Sequence, residues 1–278
     1  MDFFFAKKLD IFFHLLFKGG MTEENIKKHV HSLGEPAKIF WNVELSIKSK
    51  KKLDTYNKIC LTSNHMKFTT LKQAAEYVGG FSNPSKMPCP AWSTPAQECL
   101  TGSKLVQIIG TVCHGCYALK GNYHRYAKTV LPALYKRLET ISKPFWSAAI
   151  AFWIKQKKLD YFRWHDSGDV QTLSHFIKIC EIAKMTPDTK YWLPSREYAI
   201  ISQYVNLGLK IPENLIVRLS AYKIEGNGPV KLAKRLGVQI STVKKEGYNC
   251  PAYSQGGKCL DCRACWDKNI FDITYKLH

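Results

Sequence analysis

The chain has 278 residues, 45% of them hydrophobic, which is ample material for a core and unlike a disordered polymer. Lys and Arg number 41 against 22 Asp and Glu, a formal net charge of +19. That balance points to a polyanionic partner, nucleic acid ahead of a membrane surface, and apolar runs such as 147–154 are too short to span a bilayer.

Residues 1–20 contain Phe3-Phe4-Phe5 and an apolar stretch at 11–17. Lys7 and Lys8 follow the first Phe run, and Lys18-Gly19-Gly20 lacks a small-x-small cleavage pattern, so the segment reads as a frayed leader. Met21, before Thr22-Glu23-Glu24, reads as a second start with helix N-cap chemistry. A reducing cytoplasm, that of a host cell, is the expected compartment, where cysteines at CxxC spacing are metal ligands more often than disulfides. Residues 21–80 form a basic segment whose run Lys48, Lys50, Lys51 and Lys52 is either a solvated loop or a phosphate contact.

Residues 81–278 read as a cysteine-rich α/β domain. The stretch 81–123 is rich in Gly, Pro, Ser and Cys, and so long an irregular segment needs something other than a core to hold it. Helices are expected at 124–140 and 144–157, the second with Pro in its first turn. Strands at 161–164, 190–193, 215–219 and 238–241 then alternate with helices at 173–184, 198–207 and 230–236. This βα rhythm predicts a parallel sheet, open or rolled into a partial TIM-like barrel, with cysteine-rich metal-binding loops.

In parallel α/β folds reactive groups gather at the carboxyl ends of strands. Here those ends carry His165-Asp166-Ser167-Gly168-Asp169, Pro194-Ser195-Arg196-Glu197 and Arg218-Leu219-Ser220-Ala221. A fourth leads through Thr242, Lys244 and Lys245 into Asn249-Cys250-Pro251. His165, Asp166, Asp169, Arg196 and Arg218 are the candidate catalytic residues, able to bind a charged ligand or move protons. The competing reading has Asp166, Ser167 and Asp169 capping the next helix. No P-loop, GxGxxG, GxSxG or HExxH is present.

The strongest signal is in the cysteines. Cys113-His114-Gly115-Cys116 is preceded by Cys89 and Cys99, and the tail carries Cys250, Cys259, Cys262 and Cys265. Thiolates two residues apart can turn toward one metal, and two separate groups make metal binding the leading reading. The evenly spaced tail thiolates suit an iron–sulfur cube, whereas zinc more often pairs CxxC knuckles from separate segments. Gly256-Gly257 lets the backbone approach closely. Cys180 has the spacing of a core residue, Cys60 belongs to neither group, and His14, His29, His31 and His278 lack ligand spacing. Trp92, Tyr117, Tyr123, Tyr126, Trp164, Trp192 and Trp266 are available for the core or for base stacking.

Five runs together resemble the bacteriophage "gene product 88" family. They are Ser85-Lys86-Met87-Pro88-Cys89-Pro90, the segment 112–121 around Cys113 and Cys116, the segment 162–169 through His165 and Asp169, Trp192-Leu193-Pro194-Ser195-Arg196-Glu197, and the tail 256–266. The resemblance spans about residues 80–270 and implies a phage or prophage origin and eight cysteines acting as a set. The βα rhythm is also similar to that of radical S-adenosylmethionine enzymes, in which a CxxxCxxC loop holds a cube whose fourth iron binds the cofactor. This chain has no CxxxCxxC.

The expected protein is a phage metal-cluster enzyme, with a 4Fe-4S cluster or Zn and possible use of S-adenosylmethionine, acting on nucleic acid or nucleotides. The alternatives are a non-catalytic, zinc-stabilised DNA- or RNA-binding protein and a protein that binds a host factor.

Overall fold

A computed structural model of the chain describes residues 68–277. These belong to one compact unit, which begins at Phe68. The leader, the Lys48–Lys52 run, Cys60, His14, His29, His31 and His278 lie outside the described residues.

Six strands form one sheet: β1 (Ala91–Trp92), β2 (Tyr161–Trp164), β3 (Lys190–Ser195), β4 (Leu215–Ser220), β5 (Gln239–Lys244) and β6 (Asp272–Lys276). They lie in sequence order and every neighbouring pair is parallel. The order never reverses, unlike that of doubly wound sheets, so there is no topological switch point and the carboxyl ends of all strands share one side. The helices are α1 (Leu71–Tyr77), α2 (Gly102–Leu105), α3 (Gly121–Arg125), α4 (Ala127–Thr140), α5 (Trp146–Lys157), α6 (Leu173–Met185), α7 (Tyr198–Asn206) and α8 (Val230–Leu236). None of the described helices is long and apolar enough to cross a membrane.

Strand alternation assigns the two faces. Phe162, Trp164, Tyr191, Leu193, Val217 and Ile240 point toward the helices and are buried with Ile150 and Ile154 of α5, Phe176 and Ile179 of α6, and Ile201 of α7. Each such side chain contributes about 1.5–3 kcal/mol on full burial. The opposite face carries Arg163, Trp192, Pro194, Ser220, Ser241 and Tyr275, which line a cavity of about 940 Å³. Helix ends follow local chemistry: Thr172 Oγ1 accepts from His175 N at the start of α6, and Gly237 closes α8 at φ 67°.

Several boundaries differ from the sequence reading. The helix expected at 124–140 is two, α3 and α4, because Tyr126 leaves helical geometry (φ −104°, ψ 25°) with its ring exposed. The last strand of the βα series begins at Gln239 and runs on to Lys244. β1 and β6 were not expected. β1 is two residues long inside the irregular stretch, and β6 follows directly on the cysteine tail.

Candidate functional site

The loop after β2 is fastened to the end of β1. His165 N donates to Trp92 O, Thr94 N to Ser167 O, and Asp166 N to Ser93 Oγ, while Ser93 Oγ donates to the Asp166 carboxylate. Tyr123 Oη donates to Asp166 Oδ2 at 3.0 Å, and Tyr117 Oη to the Asp166 carbonyl. The chain turns at His165 through φ 57°, a left-handed conformation that side chains other than Gly and Asn seldom adopt.

Gly168 makes the close approach possible. A Cβ there would sit 2.1 Å from Thr94 Oγ1 and 2.5 Å from Thr94 O, at φ 75°. Gly168→Ala is therefore expected to cost about 2–3 kcal/mol, through strain and overpacking together, read as a lowered urea midpoint. An unchanged midpoint would show that the β1–β2 loop contact is dispensable.

The capping reading of Asp166, Ser167 and Asp169 does not describe their bonds, since Thr172 caps the next helix. Asp169 instead ties β2 to β3: Oδ1 accepts from Ser195 Oγ (2.6 Å) and Val170 N, and Oδ2 from Arg196 N (2.8 Å). Burial, and then repulsion from Glu197, raise its pKa to about 6 despite those donors. Glu197 is buried and clamps the Cys99 loop by accepting from Thr101 N and Thr101 Oγ1, both at 2.8 Å. Arg196 is half-buried, with Nε donating to Ala221 O.

The cysteines divide three and five rather than four and four. Cys99, Cys113 and Cys116 feel one another electrostatically, and Gly102 presses between two of them: a Cβ there would be 3.5 Å from Cys99 Sγ and 3.7 Å from Cys113 Sγ. Cys89 sits instead with the tail, beside Cys259 and Cys265. Cys250, Cys259, Cys262 and Cys265 line a second cavity of about 210 Å³. Cys259 N donates to Lys86 O, which brings the tail against the segment of Cys89. All nine described cysteines are free thiols, and Cys180 is buried in the core as its spacing predicts. Burial pushes the Cys89 thiol up to about 12 and the Cys265 thiol up to about 11. Among the described residues no three His, Cys, Asp or Glu side chains stand close enough to hold a single metal ion as they are placed.

One space collects most of the candidates. The 940 Å³ cavity is lined by Cys99, Cys113, Cys116, Cys250, Cys259 and Cys265, and by His165, Asp166, Asp169 and Arg196. Cys89, Cys262 and Arg218 do not line it. Arg218 is fully buried and donates to the carbonyls of Ile240, Ala264, Cys265, Asp267, Ile270 and Phe271, so its place is under the tail loop, away from the rim.

Arg163 and Ser93 were missed by the sequence reading, and Glu197 was seen only as part of a strand end. A visible signal existed for Arg163, since a lone cation within a parallel strand must face something other than the helix layer. Ser93 had none, because its role depends on β1, which the sequence does not reveal.

No curated protein and no solved structure matches the chain. The profile of the gene product 88 family matches residues 47–268. That span takes in all eight cysteines of the two groups, the β2 and β3 loops and five of the six strands, and on it the chain belongs to the gene product 88 family.

Proposed function

We propose that the protein is a metal-cluster enzyme acting on nucleic acid or nucleotides at the carboxyl ends of its parallel strands. The observation that carries this reading is the shared cavity: two sets of thiols, an imidazole, two carboxylates and two arginines open into one space of about 940 Å³. Ligands of parallel α/β folds bind at that side of the sheet.

The donor set fits iron–sulfur chemistry better than a single zinc ion. Four thiolates on one zinc, at about 2.3 Å each, would have to crowd together, whereas those around a cube stand at its separate corners. The even spacing of Cys259, Cys262 and Cys265 along the tail suits the second arrangement. Cys99, Cys113 and Cys116 would hold a cluster by three thiolates, which leaves one corner for substrate or S-adenosylmethionine. The tail set, with Cys89 beside it, would hold another. Bound clusters would supply electrons. Asp169, with a carboxyl raised to about 6, would hold or release a proton at the cavity wall, and Arg196 would orient an anionic substrate. The +19 net charge supports a phosphate-bearing substrate.

Anaerobic purification tests the reading. The expected protein is coloured, with iron and an equal amount of acid-labile sulfide. Cys116→Ser and Cys262→Ser are each expected to lose only their own group's share of the iron. Colourless protein containing zinc, with nucleic-acid binding that weakens steeply with salt, would replace it with the non-catalytic alternative.

A further inference from the structure

Three arginines in the fold differ in what surrounds their guanidinium groups. Arg218 reaches six carbonyls, and Arg137 donates to Gly79 O, Gly80 O and Ser82 Oγ. These two are structural, with their donors satisfied by the chain itself.

Arg163 is different. It pairs in register with Trp192 of β3, and its guanidinium lies over that indole at 4.5 Å, facing the cavity. Its Nη1 meets only Met87 Sδ at 3.6 Å, and its Nη2 stands 3.5 Å from both Tyr117 Oη and the His165 carbonyl. Its Nε is buried with no partner. The ion pairs among the described residues, Lys72–Glu76 and Lys268–Glu213, lie elsewhere. A cation held flat on an aromatic face, with Nε unpaired and its terminal nitrogens in long contacts only, is arranged to receive a planar or tetrahedral oxyanion by two parallel hydrogen bonds.

We infer that Arg163 is the anchor for an oxyanion, the phosphate or carboxylate of a ligand that enters the cavity between the two cysteine sets. Trp192 fixes the plane of the guanidinium. Ser93 and Tyr123 donate to the carboxylate of the nearby Asp166 and hold it in place, and it forms no ion pair with the arginine. Lys86 and Lys276 also line the cavity and add positive potential. The inference extends the proposed function by placing the anionic group of the substrate, and it can be read independently of the metal.

The test uses protein as purified, with tryptophan fluorescence and calorimetry as readouts. The probes are deoxycytidine 5′-monophosphate, deoxycytidine, inorganic phosphate and acetate. Saturable binding of the monophosphate is expected, at least about 10-fold tighter than the nucleoside. Arg163→Gln is expected to weaken that binding by about 30-fold or more. Arg163→Lys, which keeps the charge but loses the fork and guards against a folding failure, should fall between. Displacement by acetate but not by inorganic phosphate would assign the anchor to a carboxylate. The inference is overturned if no anionic probe binds the wild type, or if both variants bind as the wild type does. It is also overturned if Arg163→Gln changes only the metal content and visible spectrum, because the arginine would then serve the thiolates. Arginine-dependent binding by protein that contains no iron or sulfide even after anaerobic purification would leave this inference standing and sink the metal-cluster reading.

Discussion

Replacing Arg218 with methionine is expected to cost about 4 kcal/mol of folding stability and to release the C-terminal cysteine loop. Arg218 is completely buried, and no carboxylate pairs with it among the described residues; its charge is balanced by the carbonyls that converge on it. Five of them, from Ala264, Cys265, Asp267, Ile270 and Phe271, belong to the chain that follows β5, and this one side chain reaches all five. Methionine fills much of the volume but offers no donor, so several buried carbonyls lose their partner at once, each a desolvation cost of about 1–3 kcal/mol if nothing replaces it. Urea unfolding measures the first effect, and limited proteolysis after residue 245 measures the second. Arg218→Lys should recover little, because a single ammonium cannot reach carbonyls spread around a guanidinium plane. A wild-type midpoint for Arg218→Met, with an equally protected tail, would show that the tail is held by Trp266 and the sheet instead.

The same construction recurs on the other side of the cavity. Glu197, at the end of β3, holds Thr101 and with it the Cys99 loop, while Asp169 joins β2 to β3. Irregular, cysteine-bearing segments are thus attached to a regular sheet through single buried charged side chains. This answers the physical problem set by the stretch 81–123, which has little apolar core of its own. It also separates roles at the strand ends: Arg218 and Glu197 satisfy backbone groups, whereas Asp169, Arg163 and Arg196 line the cavity.

What was legible in the sequence follows from the range of each interaction. The four middle strands and their helices are local patterns of apolar residues, and their parallel pairing follows from the alternation of strand and helix. The strand-end loops were legible for the same reason, since a βα rhythm fixes which ends share a side. Cys180 was placed correctly by helical spacing alone. The partition of the cysteines was not legible. Proximity in sequence put Cys89 with Cys99, but β1 lies between them, and pairing of β1 with β2 carries Cys89 toward the tail. β1 itself, two residues long, exists because β2 offers it an edge, which no local pattern encodes. Arg218 failed as a rim residue because its position at the strand end was read correctly while its direction was not. It alternates with the core residues Val217 and Leu219, and the tail that covers it arrives 46 residues later in the chain.

Acidification should destabilise the protein through His165. The imidazole is buried against Trp92, Trp164 and His175, with ring centroids 6.3, 6.4 and 5.5 Å away. Neither ring nitrogen has a hydrogen-bond partner of good geometry, and the Ser167 backbone beside the ring offsets only a small part of the effect of burial. Burial first, and then the positive charge of Arg163, lower its pKa from 6.5 to about 3. Below pH 6.5 the unfolded chain takes up a proton that the native chain refuses, so stability falls as the pH drops and the loss is complete near pH 3. At about pH 4.5 this one group accounts for roughly 3 kcal/mol. His175 is shifted in the same direction, by burial and then by His165, and adds to the loss. Asp169 opposes it: its pKa rises from 3.8 to about 6, so stability is lost as the pH rises through that window and regained on acidification. His165→Asn separates these contributions, because asparagine tolerates the φ of 57° and does not titrate. Urea unfolding between about pH 7.5 and pH 4.5 should then give a slope flatter than that of the wild type by about 3 kcal/mol over the range. Parallel profiles would mean that the native ring titrates as it does in the unfolded chain, near pH 6.5. His165 would then be open to water at the cavity floor, and proton uptake at the site would be shared between it and Asp169.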